Sequence, residues 1–133
     1  REPHPDQSTF NFVEKALIRL ENTPHKTTNF HVIFLMELTK HLGFYPILSK
    51  GNYFDMLEGV FSDSVPRTSV YLTGLEKEVF FVVLGTNFDE WETVKLNSEQ
   101  RRNVLSSIIT YYQTHISGLG EIKSHTVLET IFN

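Results

Sequence analysis

Six histidines are the first residues in this 133-residue chain that could ligate a metal or relay a proton. A helical zinc site needs two imidazoles four residues apart with a carboxylate nearby. His25, His31, His41, His115 and His125 show no such pairing, and His4 stands close to the first residue. Cysteine is absent, which excludes disulfides and thiolate zinc sites and fits a reducing compartment. Serine, histidine and aspartate occur without a Gly-x-Ser-x-Gly turn, and most serines stand where helices begin, where capping accounts for them. There is no glycine-rich phosphate loop. These types and spacings predict neither an active site nor a metal site.

Three smaller constellations remain. Asp55 in YFDMLEG, paired with a histidine, could serve a small hydrolase, but an aspartate there more simply anchors a turn through nearby backbone amides. Tyr111 and Tyr112 could stack on bases. Consecutive helical residues point about 100° apart, so one is expected to face the core and the other its edge. Arg101 and Arg102 open a long helical pattern, where positive charge opposes the helix dipole. Either a partner or salt bridges to an acidic neighbouring segment would account for them. Lys123 and His115 are expected to join them in a small basic edge.

The elements that must position these residues follow from periodicity. In DQSTFNFVEKALIRLENTP, Phe10, Val13, Ala16, Leu17 and Leu20 form one helical stripe, capped by Asp6 or Ser8 and stopped by Pro24. TTNFHVIFLMELTKHLG is apolar almost all round, the pattern of a helix surrounded by its neighbours. Gly43 fits a left-handed helix stop, Phe44 is expected to fold back over Leu38, and Pro46 prevents resumption. NYFDMLEGVFSDSVP reads as a short two-stranded hairpin turning at Glu58-Gly59. TGLEKEVFFVVLG carries a strand-like run, but Thr73 with Glu76 three residues on forms a capping-box pattern that favours a helix. NFDEWETV predicts an irregular link or a single turn. In LNSEQRRNVLSSIITYYQTHISG, Asn97 caps, Gln100 stands at N3, Leu105, Ile108, Ile109, Tyr112 and Ile116 form the buried stripe, and Gly118 closes the helix. KSHTVLETIF gives a short helix capped by Ser124, with Val127, Leu128, Ile131 and Phe132 available for docking. The expected fold is mainly α: a single bundle of about five helices with a small inserted β-hairpin.

Length and composition agree with one domain over residues 1–133, long enough to bury roughly two-thirds of its unfolded surface. With 40% apolar and 13% aromatic residues the chain has ample core material, and no apolar run approaches the ~20 residues that span a bilayer. The start, Arg-Glu-Pro, lacks an initiator methionine or a signal segment and reads as a fragment or processed chain. The formal charge of −4 conceals a gradient: residues 1–50 carry +1, residues 51–94 carry −6 and residues 95–133 carry +1. The acidic middle would repel phosphate, which disfavours direct single-stranded DNA binding as the main function.

The order of these signals resembles a known family. The helix ending LGFYP, the hairpin YFDMLEGVF with Pro66 after it, and LNSEQRRNVLSSIITYYQTHISGLGEIKSHTVLETIF are together similar to the C-terminal helical domain of the recombination mediator protein O (RecO) family, over residues 8–133. The most specific part is the string Arg101, Tyr111, Tyr112, His115, Lys123, Ser124 and Leu128. The resemblance implies a bacterial DNA-repair accessory protein of the cytoplasm and nucleoid, without catalytic turnover or cofactor. Such proteins help load the recombinase onto DNA coated by single-strand-binding protein, together with the RecR partner. Members usually carry an N-terminal OB-fold that contacts nucleic acid; this chain is expected to lack it, so DNA contact would fall mainly to that missing part.

Many members also bind zinc through four cysteines in the region equivalent to residues 53–66. Here Phe54 and Phe61 are expected to do that structural work. In some members the helical domain receives the acidic, phenylalanine-ending tail of single-strand-binding protein. A terminal aromatic needs an apolar pocket and its carboxylates need a cationic rim. The candidates here are Arg101, Arg102 and Lys123, with Lys40, His41 and His115.

Overall fold

The computed structural model describes residues 28–67 and 70–116. The expected helices over residues 8–20 and 124–132, Gly118 and Lys123 lie outside the described residues. Within them the fold is mainly α, with a small antiparallel sheet. In chain order it runs α1 (Asn29–Leu42), β1 (Tyr53–Asp55), β2 (Val60–Ser62), β3 (Tyr71–Thr73), α2 (Gly74–Leu84), a 3-10 segment (Phe88–Thr93) and α3 (Ser98–His115). The five-helix expectation thus becomes three α-helices and one 3-10 segment among the described residues.

Helix α1 is packed by α2, α3 and the 3-10 segment, as its nearly continuous apolar sequence requires. Its first turn is closed by the Thr28 amide, which donates to Nδ1 of His31 at 3.1 Å. Its last turn ends at Gly43, whose φ of 93° is left-handed and carries no Cβ penalty there. The amides of Gly43 and Phe44 both donate to the Thr39 carbonyl at 3.0 Å. Phe44 is buried. The rings it meets belong to α3.

The hairpin forms with the register Tyr53 to Ser62, Phe54 to Phe61 and Asp55 to Val60. The expectation of two strands is incomplete. β3 pairs with the other edge of β1, placing Tyr53 against Thr73 and Asp55 against Tyr71, so the strand order is β2-β1-β3. The pleat turns Phe54, Phe61 and Leu72 toward the helices and leaves their strand neighbours half-buried or exposed.

That extra strand also removes the expected capping box. Thr73 is the last residue of β3, and its hydroxyl donates to the Asn52 carbonyl at 3.4 Å instead of capping α2. Helix α2 forms nonetheless, because Val79, Phe80, Val83 and Leu84 recur at helical spacing and are all buried. The α3 box does form: Gln100 donates its amide to Asn97 Oδ1 at 2.8 Å, and the Asn97 amide donates to Gln100 Oε1 at 3.0 Å. Leu105, Ile108, Ile109, Tyr112 and Ile116 are buried as their spacing predicts.

Candidate functional site

Aromatic rings join the sheet to the helices. Phe54 is fully buried; its ring centroid lies 4.5 Å from Phe80 of α2, 4.8 Å from Phe61 across the hairpin and 5.7 Å from Tyr111 of α3. Phe61 meets Phe81 edge-on at 5.5 Å. A second set of rings covers the end of α1. Phe44 stacks on His115 at 5.2 Å with planes 7° apart, and its ring lies 5.6 Å from Tyr112 and 5.8 Å from Tyr111. Tyr111 belongs to both sets.

The tyrosine pair departs from expectation. Both residues are buried, not one at the core and one at its edge, because the turn between β1 and β2 covers the helix face that would otherwise be open. Each hydroxyl has a main-chain acceptor at 2.6 Å: Phe44 for Tyr111 and Leu35 for Tyr112. Burial holds the Tyr112 phenol well above its ordinary value of 10.0, so it remains a donor through that range. Neither ring is available to stack on a base.

Asp55 takes the turn-anchoring role. Its Oδ1 accepts from the amides of Leu57 at 3.0 Å and Glu58 at 3.1 Å, and its carbonyl accepts from Gly59 at 2.8 Å. His115 Nε2 lies 2.8 Å from the Met56 carbonyl, so this imidazole links the end of α3 to the same turn. Among the described residues, no three histidine, aspartate or glutamate side chains gather closely enough to hold a metal ion.

The candidate cations divide between two ends of the fold. Asn29 meets Arg101, Leu35 meets Tyr112 and Phe44 meets His115, so α1 and α3 run in the same general direction. Arg101 and Arg102 stand at their common start; Lys40, His41 and His115 stand near their common end. Fourteen helical residues separate Arg101 from His115, or ~21 Å at the α-helical rise. His115 therefore does not share an edge with the arginines.

The two arginines also differ from each other. Arg101 is half-buried and donates to Asn29 Oδ1 at 3.3 Å and to the Leu96 carbonyl at 3.2 Å, while Asn29 donates to the Val94 carbonyl at 2.7 Å. This network ties the starts of α1 and α3 together, and it replaces the alternative of salt bridges to the acidic segment. Arg102 is exposed. Beside this end, Phe30, Phe34, Phe88 and Trp91 form a partly exposed aromatic cluster, with Phe30 5.5 Å from Trp91 and 5.6 Å from Phe88. At the other end Lys40 pairs with Glu37 at 3.3 Å and lies 4.8 Å from the Tyr45 ring centre, and His41 is exposed. Nothing in the spacing of single residues announces the aromatic cluster, since its rings come from segments more than fifty residues apart.

Comparison with known proteins decides the family. Residues 1–125 match the family described as "Recombination protein O C terminal". The chain belongs to the RecO family. Similar RecO relatives, each named "DNA repair protein RecO", include that of Flavobacterium psychrophilum, 37% identical over 134 residues, covering 99% of this chain and 55% of the relative. That of Christiangramia forsetii is 34% identical, with 99% and 55% covered. That of Azobacteroides pseudotrichonymphae is 29% identical, with 100% and 56% covered. The chain thus spans about half the length of the curated relatives it matches. No solved structure matches it. Among the described residues of this RecO chain, no helix is long and apolar enough to cross a membrane.

Proposed function

We propose that this RecO-family chain is a non-catalytic protein-interaction module of a recombination mediator, supporting recombinase loading on single-stranded DNA. The family match over residues 1–125 is the observation that carries this reading. The ligand it fits is the acidic, phenylalanine-ending tail of single-strand-binding protein, with RecR as a further partner and DNA contact left to parts of the family's longer proteins. The start of α3 suits such a ligand, because Arg102 there is exposed and the start of α1, tied to α3 through Asn29 and Arg101, carries partly exposed rings that offer an apolar seat. A carboxylate on a guanidinium gains charge-assisted hydrogen bonds, and a terminal aromatic gains from leaving water.

Trp91 is the only tryptophan in the chain and lies in this aromatic cluster, so its emission reports on occupancy. Titrating the chain with an acidic, phenylalanine-ended peptide at low salt is expected to shift that emission saturably. Added salt should weaken the binding, and Arg102→Glu should weaken it about tenfold or more, the scale of losing one charged pair. Absence of any binding at low salt would remove the reading.

A further inference from the structure

The half-buried guanidinium of Arg101 is held by one of its three nitrogens. Nη1 donates to Asn29 Oδ1 at 3.3 Å and to the Leu96 carbonyl at 3.2 Å, two acceptors for its two hydrogens. The planar group offers three more N–H donors, one on Nε and two on Nη2, and among the described residues they meet no acceptor. No carboxylate of the described residues pairs with the group either. A cation drawn partly out of water beside neutral partners alone costs free energy that an anion at the same place offsets. The guanidinium is also fixed from behind. Asn29 Nδ2 donates to the Val94 carbonyl at 2.7 Å, so the amide that accepts from Arg101 cannot turn without losing a second bond. The Val94 amide in turn donates to the Trp91 carbonyl at 3.3 Å, which links the arginine through three hydrogen bonds to the segment carrying the Trp91 ring.

We infer that Arg101, positioned by Asn29, reads the terminal carboxylate of the bound tail through its Nε–Nη2 edge. This rests on the function proposed above and adds the residue that sets its specificity. The edge presents two parallel N–H groups spaced for the two oxygens of one carboxylate, a geometry that a lysine ammonium does not reproduce. Of the acidic groups in such a tail, the terminal carboxylate is the one bonded to the same Cα as the seated ring. Fork and rings at one end of the fold therefore select a chain that ends in an aromatic residue. An amide in place of that carboxylate offers a single acceptor oxygen and turns N–H groups toward the remaining guanidinium donors. Arg102, exposed at the next position, contributes charge alone.

The test compares two peptides of one acidic, phenylalanine-ended sequence, the first with a terminal carboxylate and the second with a terminal carboxamide, by Trp91 emission at low salt. The full chain is expected to bind the carboxylate form about tenfold more tightly, the scale of one charge-assisted hydrogen-bonded pair. Arg101→Lys keeps the charge and removes the fork, and should narrow that gap to about twofold, the scale of an exposed charge pair without fixed geometry. Arg102→Lys should leave the gap at its parent value. Asn29→Asp gives the guanidinium a carboxylate of its own and should narrow the gap in the same way, which provides the comparison if Arg101→Lys fails to fold. Equal binding of the two peptides by the parent chain would overturn the inference while leaving the function standing. A full preference retained by Arg101→Lys, or by Asn29→Asp, would overturn it as well. Absence of binding by both peptides would instead remove the function and this inference together.

Discussion

Phe54→Ala is expected to lower the unfolding free energy by about 3–5 kcal/mol, the range for a large ring removed from a closed core. Phe54 is fully buried and touches rings from β2, α2 and α3, so its loss leaves a cavity where three elements meet. Against a total stability of roughly 5–15 kcal/mol, that is about a fifth of the whole or more. Denaturant titration followed by circular dichroism gives the value. Leu75→Ala, at a side chain 68% exposed, serves as control and should stay within about 0.5 kcal/mol of the parent. A Phe54→Ala loss no larger than the control's would show that the rings do not hold the sheet to the helices.

Gly59→Ala should cost about 2–4 kcal/mol for a different reason. Gly59 has a φ of +70°, where an added Cβ costs roughly 1–2 kcal/mol, and that Cβ would sit 2.7 Å from the Tyr111 hydroxyl. Tyr111 is buried and bonded to the Phe44 carbonyl, so its ring has little room to move, and displacing it leaves a buried acceptor unpaired at roughly 1–3 kcal/mol. Tyr111→Phe removes the obstructing oxygen. The combined variant is expected to lose at least about 1 kcal/mol less than the sum of the two single changes. Strict additivity in that double-mutant cycle would mean that the turn and the tyrosine do not share the contact.

The helices were legible in the sequence because their signals are local. Asn97 with Gln100, and Gly43 after a long apolar run, act within a single turn of chain and need nothing distant. β3 was not legible, since three residues with one inward side chain, Leu72, give no periodicity to read. Its presence then diverted Thr73 from the cap that its sequence context suggests. The chemistry followed the same division. The role of Asp55 could be read from its own turn, whereas Arg101 is engaged by Asn29, 72 residues away. The second buried tyrosine likewise depends on a hairpin turn more than fifty residues earlier in the chain. Relations across the fold, not residue types, separate the structural arginine from the exposed one.

The same rings bear on the zinc-binding cysteines implied by the resemblance to the RecO family. Two ring clusters that meet at Tyr111 connect α1, the sheet, α2 and α3 through packed apolar contacts, which need no metal to form. The measurement that tests this most directly is equilibrium unfolding of the full chain, first stripped with a chelator and then supplemented with zinc, followed by circular dichroism and Trp91 emission. The account predicts coincident transitions with one midpoint in both conditions. A midpoint that falls on chelation and recovers with zinc would contradict it.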